Sequence, residues 1–130
     1  MIQLVSVEEY LAAEADSPVK HEFLGGVIHA MSGARNRHNT VASNVLISLG
    51  GRLRKSPCQA FNSDTKIRIR LPGHTRFYYP DVSVVCRQNA PQEVFQDDPV
   101  VVVEVLFDST RRVDLGEKQE AYLSIPALSV

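Results

Sequence analysis

Two acidic residues stand at the ends of apolar, strand-like segments. Asp81 follows Pro80 and precedes the apolar segment Val82–Val85, and Glu104 lies inside a run of valines that begins at Val100. An ionised carboxylate in apolar surroundings costs several kcal/mol unless it is paired with a cation or bound to a metal. Both residues are therefore candidates for chemistry.

Antiparallel pairing of these two segments would bring the carboxylates together. Strands joined by one loop are often neighbours, so the start of the first would lie beside the end of the second. Two adjacent carboxylates repel, and a divalent cation relieves that repulsion. Oxygen ligands select Mg²⁺ or Mn²⁺ over zinc, and such an ion can neutralise charge that builds on a phosphate. Two alternatives stay open from spacing alone: Asp81 could cap a turn, and Glu104 could pair with a buried arginine.

The elements that must position these residues can be predicted from local patterns. Ser6-Val-Glu-Glu9 is a capping-box signature, and Gly25-Gly26 is a two-residue turn of the kind that hairpins favour. In chain order we predict a helix over residues 7–15, a hairpin over 20–31, an amphipathic helix over 36–54, strands over 59–62, 65–71, 77–86 and 100–106, and a helix over 112–124. Strands bunched between helices favour an α+β fold, with a mixed or antiparallel sheet flanked by helices.

Composition and cysteine usage limit the class of protein. The 130 residues are 44% hydrophobic and 22% charged, which predicts one soluble globular domain over residues 1–130. No apolar run approaches the ~20 residues that a membrane span needs, and the N-terminus does not resemble a secretory signal. Cys58 and Cys86 stand in apolar segments, so we predict buried free thiols and a location in a reducing cytoplasm.

The charge pattern gives no bulk attraction to DNA, because the net charge is −1. Basic residues nevertheless crowd the middle third of the chain, where they could form a local face that touches phosphates. The alternative is that they are solvated faces of a helix and of the alternating strand over 65–71. These residues are Arg35, Arg37, Arg52, Arg54, Lys55, Lys66, Arg68, Arg70 and Arg76.

The order of several short motifs resembles the PD-(D/E)xK nuclease superfamily and, more narrowly, the Uma-two family of restriction-endonuclease-like proteins. The two carboxylates lie in Tyr79-Pro80-Asp81-Val-Ser-Val-Val and in Val101-Val-Val-Glu104-Val-Leu. Supporting segments begin at Ser6, Lys20, Arg37, Ser63 and Asp114. The resemblance runs from about Ser6 to Val130 and implies a restriction-endonuclease-like core.

The resemblance implies a metal-dependent endonuclease that acts on DNA. Asp81 and Glu104 would hold Mg²⁺ or Mn²⁺, with the backbone carbonyl of Val105 as a third oxygen. The superfamily lysine usually follows two places after the second acid, where this chain has Leu106. The resemblance moves that role to Lys118 on the last helix, where an ammonium would orient the attacking water. An exposed helix lysine is the alternative for Lys118.

The resemblance also points to supporting residues. Glu22 matches an acidic position on the first hairpin that would support the metal or its water, and otherwise it is an ordinary strand glutamate. His38 matches a histidine near the start of the second helix that would contact phosphate or a carboxylate, and otherwise it is structural. Asp114 and Tyr122 are expected to fix the last helix.

Departures from the family pattern motivate a second function. Phe107 places a bulky ring after the Glu104 segment, and the chain ends at Val130 where family members continue. We therefore expect an apparently truncated C-terminus, with a strand edge that could pair with a partner chain in a homodimer. The alternative function is a catalytically inactive nuclease-fold module for DNA binding or interaction.

Overall fold

The chain forms an α+β fold in which short strands are grouped between helices, as predicted. The computed structural model describes residues 4–106 and 112–128, and Phe107 and the side chain of Asp114 lie outside that description. The elements are α1 (Val7–Ala15), β1 (His21–Leu24), β2 (Val27–Ala30), α2 (Asn36–Arg52), β3 (Gln59–Phe61), β4 (Ile67–Leu71), β5 (His74–Tyr78), β6 (Val82–Val85), β7 (Pro99–Val103) and α3 (Arg112–Leu123).

The strands form two antiparallel sheets in the described residues. A four-stranded sheet has the order β2-β1-β5-β4, and a three-stranded sheet has the order β3-β6-β7. An isolated parallel bridge between Ile67 and Gln96 connects β4 to the loop before β7. The helices flank these sheets, with α2 contacting β3 and β6 and α3 contacting β4.

The segment predicted as one strand over residues 77–86 is in fact two strands in different sheets. β5 ends at Tyr78 in the four-stranded sheet, and β6 begins at Val82 in the three-stranded sheet. The buried Pro80 lies between them, and proline has no backbone N–H to donate to a ladder. The crossover places Asp81 where the chain enters the three-stranded sheet.

The core consists of two apolar clusters on opposite faces of the four-stranded sheet. Successive side chains of a strand point to opposite faces, so the neighbours Phe77 and Tyr78 of β5 belong to different clusters. The first cluster joins β4 to α3 and contains Ile67, Ile69, Tyr78, Ala121, Tyr122 and Ile125. The second joins the sheet to α1 and contains Tyr10, Phe23, Phe77 and Phe95.

The polar face predicted for the strand over 65–71 is only partly exposed. Arg70 is exposed, but Lys66 is only 7% exposed, and its Nζ lies 5.7 Å from the ring centroids of both Tyr10 and Tyr79. Arg68 makes a two-pronged ion pair with Asp97. The alternating pattern alone predicts a solvent-exposed face, but aromatic rings and one carboxylate from distant elements cover part of it.

The second helix formed as predicted, but its apolar stripe is not buried. No residue of α2 is buried, and Val41 is 39% exposed. Val41, Val45 and Leu49 line one side of an apolar groove whose other side is formed by Val101 and Val103 of β7. Helical periodicity predicted the element correctly, whereas the depth of its packing depends on its neighbours.

The prediction of free cysteine thiols is wrong, because Cys58 and Cys86 form a disulfide. In the β3–β6 register Gln59 lies opposite Val85, so the flanking cysteines are brought to a Cα separation of 3.8 Å. The cysteines therefore no longer argue for a reducing compartment. None of the described helices combines the length and apolarity that crossing a membrane requires. Cytoplasmic location stays a prediction.

Truncation of the first cluster should destabilise the fold strongly. Ile67 is 0% exposed, so Ile67→Ala is expected to lower the free energy of unfolding by about 2–5 kcal/mol through lost burial and a residual cavity. Ile47 on α2 is 71% exposed, and Ile47→Ala is the matched control, with an expected change within about 0.5 kcal/mol. Urea unfolding of both variants checks this, and equal destabilisation would contradict the assignment of the core.

Candidate active site

The register of β6 and β7 places Asp81 opposite Glu104. The two strands pair antiparallel, as predicted, with Val82 opposite Val103 and Ser83 opposite Val102. Extending that register by one residue sets Asp81 against Glu104, and the negative charge of Asp81 acts on the Glu104 carboxylate. The two candidate carboxylates therefore meet at one end of the three-stranded sheet.

Two contacts from different elements orient the Asp81 carboxylate. Its Oδ2 accepts a hydrogen bond of 2.7 Å from the backbone N–H of Val105 and lies 3.1 Å from Nε2 of His38. Neither contact uses Oδ1. His38 therefore contacts a carboxylate, which is one of the roles considered for it, and Asp81 bonds across the strand pair instead of capping a local turn.

Glu104 is held in a buried and mostly acidic environment. The Tyr122 hydroxyl donates a hydrogen bond of 3.1 Å to Oε1 of Glu104. Burial raises the pKa of Glu104 to about 7; the positive charge of Lys118 opposes this rise, and the negative charges of Asp81 and Glu22 add to it. The buried arginine considered as a partner for Glu104 is not among its contacts in the described part of the chain.

Lys118 is not an exposed helix lysine. Its Nζ lies 2.7 Å from Oε2 of Glu22 and 5.4 Å from the ring centroid of Tyr78. The side chains of Lys118 and Glu22 are only 21% and 14% exposed. Although burial disfavours the ammonium, the close ion pair with Glu22 and the charge of Glu104 raise the pKa of Lys118. The lysine is therefore a half-buried cation that pairs with Glu22 and is acted on by the charge of Glu104.

The Lys118 ammonium and the Tyr122 hydroxyl both come from one face of α3. Lys118 and Tyr122 are four residues apart, so they lie on the same side of the helix. The Tyr122 ring packs against Tyr78 with centroids 5.4 Å apart, and the same Tyr78 ring lies under Lys118. Sequence reasoning gave Tyr122 only a helix-fixing role, although its spacing from Lys118 was a usable signal that both contact one site.

Oxygen atoms predominate among the side-chain groups at this end of the sheet, and oxygen is the ligand that hard divalent cations select. Asp81, Glu104 and Glu22 supply three carboxylates against the single ammonium of Lys118, which leaves an excess of negative charge. Within residues 4–106 and 112–128, no group of three or more His, Cys, Asp or Glu is arranged to hold a metal ion. Asp81 and Glu104 are only two carboxylates, so a complete ligand set would also need oxygens that are not side-chain atoms, such as the backbone carbonyl of Val105.

The predicted basic face is smaller than the sequence suggested. Lys66 is buried, Arg68 is paired with Asp97, and Arg76 contacts His74 and the Tyr78 hydroxyl. The exposed basic residues that remain on α2 and its flanks are Arg35, Arg37, Arg52, Arg54 and Lys55. Arg35 and Arg37 precede His38 at the start of α2, so two exposed cations are close in sequence to the histidine that contacts Asp81.

Comparison with known families places this chain among restriction-endonuclease-like proteins. Residues 7–128 match the Uma2 family, described as "Putative restriction endonuclease". The chain belongs to this family. Its fold is similar to the crystal structure of a "putative nuclease belonging to DUF820" from Anabaena variabilis, with a TM-score of 0.66 and 16% identity over 88% of this chain and 65% of that one.

Two cyanobacterial relatives are similar along nearly the whole chain. The uncharacterized protein slr1290 of Synechocystis is 35% identical over 125 residues, which is 95% of this chain and 65% of the relative. The uncharacterized protein sll1609 of the same organism is 27% identical over 129 residues, which is 97% of this chain and 72% of the relative. The chain thus spans about two thirds of the length of the relatives that it matches.

The raised pKa of Glu104 should make stability depend on pH. The folded-state pKa of about 7 lies above the ordinary value of 4.5, so the folded protein holds a proton that the unfolded chain has released between these values. The free energy of unfolding should therefore fall as pH rises from 4.5 to 7, by about 3 kcal/mol for this group. Glu104→Gln should lack this part of the decrease.

Urea unfolding at pH 5 and pH 8, in EDTA, measures the difference between wild type and variant. Glu120→Gln, at an exposed position of α3, is the matched control and should follow the wild type. An identical pH dependence in Glu104→Gln and the wild type would show that Glu104 does not titrate in this range.

Proposed function

We propose that this protein is a divalent-metal-dependent endonuclease that hydrolyses phosphodiester bonds of DNA. The observation that carries the proposal is the β6–β7 register, which sets Asp81 opposite Glu104 at one end of the sheet. Membership of the Uma2 family and the likeness to a nuclease fold support it. Neither comparison assigns an activity to this chain.

Mg²⁺ or Mn²⁺ would be held by Asp81, Glu104 and the backbone carbonyl of Val105. When bound, the ion would act as a Lewis acid that stabilises negative charge on the phosphate. The protein prepares the ligands in advance, because Val105 and His38 hold Oδ2 of Asp81 and Tyr122 holds Oε1 of Glu104. Each carboxylate keeps a second oxygen that these contacts do not use.

Lys118 supplies the positive charge on the other side of the carboxylates. Its ammonium, held by Glu22, can donate a hydrogen bond to the attacking water or to a phosphate oxygen. In the reaction, the water oxygen bonds to phosphorus as one phosphorus–oxygen ester bond breaks, and a proton passes to the leaving oxygen. Lys118 acts by orientation and charge, since its raised pKa keeps it protonated.

DNA would approach along the start of α2. Arg35 and Arg37 lie in exposed positions three and one residues before His38, which contacts Asp81. Cations at these positions can contact backbone phosphates without base recognition. Because the net charge is −1, binding should depend on this local patch and weaken as salt increases.

Cleavage of supercoiled plasmid DNA with Mg²⁺ or Mn²⁺ tests the proposal. Asp81→Asn keeps the shape of the side chain but removes its charge, and it should lower the cleavage rate by roughly 100-fold or more. Lys118→Met should cause a comparable loss, since it keeps the apolar stem and removes the ammonium. Asp64→Asn is the matched control, because the Asp64 side chain is 79% exposed, and it should cleave like the wild type.

Cleavage that survives EDTA, or that is unchanged in Asp81→Asn, would refute the proposed active site. DNA retention without cleavage, insensitive to Asp81→Asn, would favour the alternative of a catalytically inactive nuclease-fold module. The homodimer and the cytoplasmic location stay predictions, which sedimentation and cell fractionation can check.

A further inference from the structure

We infer that Tyr122 is a positioning residue that prepares Glu104 for the metal. The inference rests on the proposed function, since it concerns the same carboxylates. Tyr122 was not among the predicted site residues, yet its hydroxyl is 3.1 Å from Oε1 of Glu104. It does not touch substrate or the reacting atoms, and it acts through the glutamate.

The position of the hydroxyl is determined by packing. Tyr122 is 5% exposed and belongs to the cluster that joins α3 to β4. Its ring packs on Tyr78, with centroids 5.4 Å apart, and Tyr78 in turn receives a hydrogen bond from Nη1 of Arg76. A phenol fixed in this way offers its proton at one place, so it selects one orientation of the Glu104 carboxylate.

The orientation of the Glu104 carboxylate matters because a second cationic group acts on it. Its surroundings contain the Lys118 ammonium, whose positive charge acts on the Glu104 carboxylate. The Tyr122 bond engages Oε1, while Glu22 engages the ammonium at 2.7 Å. The Tyr122 bond uses Oε1, so Oε2 of Glu104 is the oxygen that would contact a cation.

The chain offers a close control for this hydrogen bond. The Tyr79 hydroxyl also donates to a buried glutamate, at 2.7 Å from Oε2 of Glu14, whose side chain is 5% exposed. Tyr79 is 6% exposed, so Tyr79→Phe and Tyr122→Phe each remove one phenol–glutamate bond from a buried position. A general loss of stability should be similar in both variants, whereas a loss of metal binding should appear only in Tyr122→Phe.

The experiment measures Mn²⁺ binding by calorimetry to wild type, Tyr122→Phe and Tyr79→Phe, with unfolding curves for each. Groups that support metal ligands typically contribute 10- to 100-fold in affinity, so we expect Tyr122→Phe to weaken Mn²⁺ binding by roughly that factor. In plasmid cleavage, the Mn²⁺ concentration at half-maximal rate should rise by a similar factor, while the rate at saturating Mn²⁺ stays close to that of the wild type. Tyr79→Phe should match the wild type in both measurements.

The outcomes separate this inference from the proposed function. Wild-type Mn²⁺ affinity in folded Tyr122→Phe overturns the positioning role, whether or not DNA is cleaved. Weaker Mn²⁺ binding in Tyr122→Phe supports that role even if no variant cleaves DNA, in which case only the nuclease proposal fails. Absence of Mn²⁺ binding by the wild type overturns both.

Discussion

The partial burial of two neighbouring carboxylates is the constraint on which the end of the three-stranded sheet depends. The antiparallel β6–β7 pair sets Asp81 opposite Glu104, and burial leaves little water to screen their charges. Neighbouring polar groups compensate the two carboxylates. The backbone N–H of Val105 and His38 contact Asp81, and the Tyr122 hydroxyl contacts Glu104. Lys118 adds a positive charge that acts on Glu104. A divalent cation would complete the compensation, which is why the same constraint links fold to proposed function.

The fold supplies these partners from every part of the chain. His38 comes from the start of α2, Glu22 from β1, and Lys118 and Tyr122 from α3. Tyr78 serves as the platform on which the α3 side chains lie, while Phe77 beside it packs against α1. Pro80 lies in the short connection between β5, which contains Tyr78, and Asp81, which immediately precedes β6. Core packing and site geometry therefore share the same short segment of backbone.

Several features could be predicted because they depend on residues close in sequence. The capping box of Ser6 and Glu9 predicted α1 correctly, and both of its hydrogen bonds are present. Gly25 and Gly26 have φ values of 57° and 104°, a region that side chains disfavour, so the predicted turn of the hairpin also formed. The pairing of β6 with β7 was predictable for a related reason, because one connecting loop favours neighbouring antiparallel strands.

Local patterns in the sequence predict the helices, the hairpin turn and the two acidic residues at strand ends, because hydrogen bonds between near neighbours and side-chain periodicity are local. The contacts of His38 with Asp81, of Glu22 with Lys118 and of Tyr122 with Glu104 follow from the folded structure and not from local sequence. The folded structure also decided the burial of Lys66 and the bonding of Cys58 to Cys86. Each of these contacts joins residues from separate elements, so it exists only once sheet register and helix docking are set.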